Sequence, residues 1–264
     1  MSILSLQGKV LVIIGGTSGI GRSAAQAFLA AGAKIVVIGR DKDKVGAAEK
    51  KLGDRARVMQ GDACRPETSE RAIEMALTSF GEFHGLYHVA GGSGREVGDG
   101  PLHEISDAAW DETLRLNLTA AMFSNRAAVR QLQKQKSGGT ILNISSVLGF
   151  SPSPRYFTTH AYAAAKAAII GLTKSLAAYY APVNIRFNVI VPALVETPMS
   201  RRAVTSEAIM KFIKTKQPLD GGRVGQASDL DAAAVYFMSD GSRFTTGQVL
   251  AVDGGWEVSE GQFG

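Results

Sequence analysis

Tyr162 and Lys166 stand four residues apart in the stretch Tyr-Ala-Ala-Ala-Lys. On a helix, positions i and i+4 share one face, with Cβ atoms about 6 Å apart. A free phenol titrates near pH 10, too high for easy proton transfer at neutral pH. An ammonium on the same face favours the phenolate and makes the tyrosine a usable general acid or base. The same spacing also suits a surface pair of ring and cation. The pair gains meaning only from what else the chain carries.

Near the start runs Gly15-Gly16-Thr17-Ser18-Gly19-Ile20-Gly21, with Ala24 three residues on. Gly19, Gly21 and Ala24 satisfy G-x-G-x-x-G/A between an apolar run and a helical stretch, the context in which that pattern binds a dinucleotide. Glycines let the backbone approach a pyrophosphate, whose charge a helix N-terminus favours. Gly16, Gly21, Arg22 and Ser23 also have P-loop spacing, but arginine stands where the phosphate lysine belongs, and the two cations are not equivalent. About twenty residues beyond the turn, an acid would receive a ribose hydroxyl of NAD, and an arginine the 2′-phosphate of NADP. The chain offers Arg40, with Asp41 suited to cap the next helix. NADP(H) is therefore the preferred cofactor and NAD(H) the alternative.

Short β-branched runs alternate with Ala-rich helical stretches. Strands are predicted over 10–14, 34–38, 57–60, 85–90, 140–144, 185–191 and 249–252. Helices are predicted over 18–31, 41–52, 67–80, 161–180 and 229–238, with two more between 107 and 134. Continuous apolar strands in such alternation imply a parallel sheet covered on both faces. The fold class is α/β: a single, doubly wound Rossmann-type domain over 1–264, with ligands at the carboxyl ends of the strands.

Composition narrows the function classes. Hydrophobic residues make up 45% and charged residues 20%, enough for a full core and against disorder. No apolar run approaches the roughly 18 residues of a membrane span. One cysteine, Cys64, and no export signal at the N-terminus point to the cytoplasm. Lys and Arg total 29 against 24 Asp and Glu, a net +5 scattered along the chain. A nucleic-acid binder would concentrate such charge on one face. His84, His88, His103 and His160 lack the carboxylate or thiol company of a metal site. No G-x-S-x-G elbow suggests a serine hydrolase.

Taken together, Gly15-x-x-x-Gly19-x-Gly21, Asn117, Ser146 and Tyr162-x-x-x-Lys166 resemble the short-chain dehydrogenase/reductase family over 9–256. The resemblance implies a seven-stranded parallel sheet with helices on both faces. It gives Tyr162 the proton transfer to the substrate oxygen, and gives Lys166 the tuning of that tyrosine and the nicotinamide ribose. Ser146, followed three residues later by Gly149, bonds the same oxygen, while Ser145 reads as a strand-end residue. Asn117 supports a water relay. Cofactor contacts implied are Gly15, Thr17, Ser18, Gly19, Ile20, Gly21, Arg40, Asp62, Ala63, Ala90, Gly91, Tyr162, Lys166, Pro192, Val195 and Thr197. The partner is a small carbonyl or alcohol substrate, and the assembly a homotetramer or homodimer. The i+4 lysine is closer to carbonyl reductases of the family than to its enoyl reductases.

Several positions depart from the family pattern. Ile14 replaces a frequent threonine, His88 and Val89 a pair of asparagines, and Ala193 a glycine. The segment between Ser146 and Tyr162 is longer than usual, and 151–160 is expected to bulge over the mouth of the site. A substrate lid is expected at about 194–223, its apolar residues Met199, Val204, Ile209, Met210, Phe212 and Ile213 facing either the body or the cleft. The resulting reading is an NADP(H)-preferring ketone/alcohol oxidoreductase. An NAD-dependent alcohol dehydrogenase of the same family, or a protein that senses NADPH without turnover, are the alternatives.

Overall fold

The computed structural model describes residues 4–262. Seven strands, β1 (Val10–Ile14), β2 (Lys34–Gly39), β3 (Ala56–Gln60), β4 (Gly85–His88), β5 (Gly139–Ile144), β6 (Ile185–Pro192) and β7 (Val249–Val252), form one sheet in the order β3-β2-β1-β4-β5-β6-β7. Every neighbouring pair is parallel. The order reverses between β1 and β4, so the loops after those strands diverge and open a crevice at their carboxyl ends.

Strand alternation decides which helices cover which face. Leu11 and Ile13 of β1 join Ile35, Val37 and Leu142 against α1 (Gly19–Ala30) and the last helix, α9 (Asp231–Met238). Val10, Val12 and Ile14 join Val36, Ile38 and Ile141 on the opposite face. There they meet α3 (Pro66–Phe80) and α5 (Ala120–Gln135). Both faces of β1 are thus buried, which is why its sequence shows no polar alternation. Between β2 and β3 lies α2 (Lys42–Leu52), and α4 (Asp107–Leu114) precedes α5.

Two features depart from simple helix-and-strand expectation. The stretch Arg115–Thr119 joins α4 to α5 as a π turn rather than a loop. Asn117 explains it, because its Nδ2 takes the Thr113 carbonyl at 2.9 Å and so loosens the regular ladder. The segment 151–160 is anchored to the C-terminal part of the chain. Trp256 donates its Nε1 proton to the Ser151 carbonyl at 3.1 Å, and its ring packs edge-on against Phe157 at 5.7 Å. Behind it run α7 (Arg201–Val204) and α8 (Glu207–Lys216). Ile209, Phe212 and Ile213 are buried with Trp256, Val189 and Val191, so they face the body, whereas Met199 is exposed. No helix among the described residues is long and apolar enough to cross a membrane.

Candidate active site

The glycine turn follows β1 directly. Gly15 has φ +90° and Gly19 φ +51°, conformations that side-chain-bearing residues rarely adopt. A Cβ on Gly15 would stand 2.6 Å from the Ala90 amide nitrogen, so the two loops flanking the reversal point touch backbone to backbone. Ser18 precedes α1 without a side-chain cap, which leaves the helix opening to an external acceptor. Thr17 is buried against Gly39, and Ile20 packs onto the core from the first turn of α1.

Opposite the turn lies the segment after β6. Pro192 ends that strand; Val195 bridges Gly225, whose amide donates to the Leu194 carbonyl at 3.0 Å. Thr197 is held by Ser200 through its own amide, at 2.9 Å. Its methyl group lies 3.2 Å from where a Gly19 Cβ would be. Thr17, Ser18, Gly19 and Thr197 line one cleft of about 350 Å³. A second, of about 420 Å³, is lined by Arg40, Gln60, Asp62, Arg65 and Arg71. Asp62 spends one oxygen on the Cys64 amide at 3.0 Å, the turn-forming role also open to it. Asp41 caps α2, accepting from Asp43 and Lys44 at 3.0 Å each, a bond that holds its carboxyl below the ordinary range. Arg65 and Arg71 have no local signal in the sequence and join Arg40 only through the fold.

The chemistry-bearing residues meet where α6 (His160–Tyr180) passes the end of β5. Lys166 is 3% exposed and donates its Nζ proton to the Ile144 carbonyl at 3.2 Å. The same ammonium lies 5.4 Å from the Tyr162 ring centroid. Ser146 is buried beside Tyr162 and accepts from the Leu148 amide at 3.3 Å. Its neighbour Ser145 instead donates to the Lys166 carbonyl at 2.7 Å and serves the packing. A Cβ on Gly149 would meet the Ala167 amide nitrogen at 2.8 Å, so the turn after Ser146 closes onto α6 only with glycine there. Asn117 binds Gly92 through both amide atoms, at 2.9 and 3.3 Å. Gly91 must stay bare beneath it, since a Cβ there would lie 2.6 Å from Asn117 Oδ1. Ala90, Ala63 and Asp62 are partly exposed at the ends of β4 and β3.

Burial shifts both groups of the pair. Burial pushes Tyr162 up to about 12, and its interaction with Ser146 opposes that rise. Burial also brings Lys166 down to about 8. His88, at an expected asparagine position, supplies a replacement bond. Its Nδ1 lies 2.8 Å from Ser124 Oγ on α5, and burial brings it down to about 3, so it is neutral.

Asp99 escaped sequence reading. Its buried carboxylate accepts from the Ala161 and Tyr162 amides at 3.0 and 2.8 Å, capping α6 where Thr159 provides no side-chain cap. Asp99→Ala leaves both amides unpaired and is expected to cost about 2 kcal/mol in a urea titration. Asp99→Asn should recover about half of that, because its single amide oxygen can accept from only one of the two amides that Oδ1 and Oδ2 now serve. Equal losses in both variants would assign the effect to charge.

A family model described as enoyl-(acyl carrier protein) reductase matches residues 15–257. The chain belongs to the short-chain dehydrogenase/reductase family. Among its relatives is the 3beta-hydroxysteroid dehydrogenase 2 of Eggerthella lenta, 32% identical over 96% of both chains. The 3-alpha-(or 20-beta)-hydroxysteroid dehydrogenase of Mycobacterium tuberculosis is 36% identical over 95% of this chain and 90% of its own. A gluconate 5-dehydrogenase from Burkholderia cenocepacia, solved in complex with NADP and tartrate, superposes with a TM-score of 0.86 at 30% identity. It covers 96% of this chain and 97% of its own. This short-chain dehydrogenase/reductase is thus an oxidoreductase with the seven-stranded parallel sheet of its structural neighbours.

Proposed function

We propose that the protein is an NADP(H)-preferring oxidoreductase that interconverts a ketone and a secondary alcohol, with Ser146, Tyr162, Lys166 and Asn117 as its catalytic set. The observation that carries this reading is the meeting of Tyr162, Ser146 and Lys166 at the end of β5, beside the glycine turn. The bare backbone at Gly15, Gly19 and Gly91 leaves a cradle that a Cβ would fill, which fits a dinucleotide. Gly15, Thr17, Ser18, Gly19, Ile20 and Gly21 would hold its pyrophosphate. Asp62, Ala63, Ala90 and Gly91 would hold the adenosine and the central chain. Pro192, Val195 and Thr197 would hold the nicotinamide, and Tyr162 and Lys166 its ribose.

Bound NADP(H) supplies or accepts hydride at the carbonyl carbon. In reduction, Tyr162 passes its phenolic proton to the carbonyl oxygen. Ser146 donates a hydrogen bond to that oxygen as negative charge builds on it. Lys166, buried below the ring, meets the phenolate that remains. Asn117 fixes the backbone of Gly92, and with it the loop under the site.

Three arginines around one cleft support a 2′-phosphate, while Asp41 is occupied as a helix cap. The hydroxyl-oxidising names of the relatives, and the NADP in the gluconate 5-dehydrogenase complex, support the same class. Fluorescence titration should give much tighter binding of NADPH than of NADH. Arg40→Ala should cut NADPH affinity roughly tenfold and leave NADH nearly unaffected. Equal binding of the two by the native chain would favour the NAD-dependent reading. NADPH binding with no turnover of any carbonyl would favour a sensor. Assembly into a homotetramer or homodimer belongs to the proposal, supported by exposed Leu250 on the edge strand β7 and by exposed Phe244 and Val258.

A further inference from the structure

Val195, just past β6, is buried and bridges Gly225 in the parallel sense. The Gly225 amide donates to the Leu194 carbonyl at 3.0 Å, and the Glu196 amide donates to the Gly225 carbonyl at 2.8 Å. The first bond fixes the 194–195 peptide, whose N–H belongs to Val195. The second fixes the 195–196 peptide, whose C=O belongs to Val195. In a trans peptide the N–H and C=O point in opposite directions. The donor and acceptor of Val195 are therefore both aimed away from Gly225, and among the described residues no hydrogen bond reaches either. Buried backbone groups without partners are costly. One donor beside one acceptor suits a primary carboxamide, which offers the complementary pair.

A side chain from the end of the lid governs that aim. Gln217 closes α8, its backbone amide donating to the Ile213 carbonyl at 2.7 Å, and it is 2% exposed. Its Oε1 accepts from the Leu194 amide at 3.0 Å, and its Nε2 donates to the Leu194 carbonyl at 3.2 Å. A primary amide supplies both a fixed donor and a fixed acceptor, and only this orientation satisfies both backbone groups. Gln217 is backed in turn by the stretch after β7. A Cβ on Gly254, which has φ +63°, would stand 3.2 Å from Gln217 Cβ, and the Gly254 carbonyl accepts from the Leu219 amide at 3.0 Å.

We propose that Gln217 is a positioning residue for the nicotinamide. By holding both polar groups of Leu194 it sets the 194–195 peptide plane, and through that plane the Val195 N–H that meets the carboxamide. This inference rests on the dinucleotide reading above, in which Val195 holds the nicotinamide, and it assigns the orienting role to a residue outside the 192–197 segment.

The test is calorimetric titration with NADP⁺ and with 2′,5′-ADP, its fragment without the nicotinamide, and with NAD⁺ and ADP in parallel. Methionine keeps the length of glutamine and removes both bonds. Gln217→Met should therefore lose roughly tenfold in dinucleotide affinity and bind the fragment as the native chain does. Gln217→Glu supplies the rescue. Its buried carboxyl, when protonated, donates and accepts as the amide does; once ionised it has no proton for the Leu194 carbonyl. Dinucleotide binding by this variant, measured against the fragment, should match the native chain near pH 5 and weaken roughly tenfold by about pH 8. Native dinucleotide affinity in both variants at each pH, or equal loss of dinucleotide and fragment, would overturn the positioning role and leave the cofactor reading standing. A native chain that binds neither dinucleotide would overturn both.

Discussion

Tyr162→Phe is expected to lower turnover roughly 10³-fold while the dinucleotide still binds with near-native affinity. The substitution removes one oxygen from a half-buried ring on a helix that Asp99 holds by its first amides. Ring packing and the lysine contact survive, so the loss falls on proton transfer. A pH profile sharpens the point. With the phenol pushed up to about 12, the acid form needed for ketone reduction is present throughout the neutral range, and that direction should be flat with pH. Alcohol oxidation needs the phenolate, whose fraction grows about tenfold per pH unit below the pKa, so its rate should climb steeply. Oxidation that is flat from neutral to alkaline pH would place the proton acceptor elsewhere.

Gly15→Val is expected to be the most damaging change at the cofactor end. A β-branched residue at φ +90° is strained by about 3 kcal/mol. Its Cβ would also press on the Ala90 amide nitrogen at 2.6 Å. The chain can relieve that overlap only by parting the loops after β1 and β4, which form the cradle. Dinucleotide affinity should fall at least ~100-fold, about 2.7 kcal/mol. Gly46→Ala is the control: the position lies inside α2 with open space around its Cβ. There the substitution should stabilise by about 0.5–1 kcal/mol and leave binding alone. Normal affinity in Gly15→Val would show that backbone proximity at this turn is not what the ligand requires.

The contrast between these sites explains what the sequence could reveal. The β1–turn–α1 unit is contiguous, and its glycines are dictated by local geometry, so pattern alone identifies it. Tyr162 and Lys166 share one helix, and Ser146 carries its own marker in Gly149, where a side chain would strike α6. Asp99 is 63 residues from the amide it caps, and no spacing rule connects a loop carboxylate to a distant helix start. Trp256 and Ser151 are 105 residues apart, so no spacing in the sequence shows what anchors 151–160. Arg65 and Arg71 join Arg40 only because β2 and β3 lie side by side. Spacing reports that two side chains share a face, but desolvation and the turn of Lys166 toward Ile144 are properties of the assembled core.

The most direct test of the account is isotopic. NADPH carrying deuterium at the transferable position of its nicotinamide is incubated with a panel of ketones, and the products are analysed by mass spectrometry. The account predicts one deuterium on the carbinol carbon of an alcohol product, transferred by the native chain and lost in Tyr162→Phe. An alcohol formed without deuterium, or equal transfer by the phenylalanine variant, would contradict hydride transfer at a site run by Tyr162.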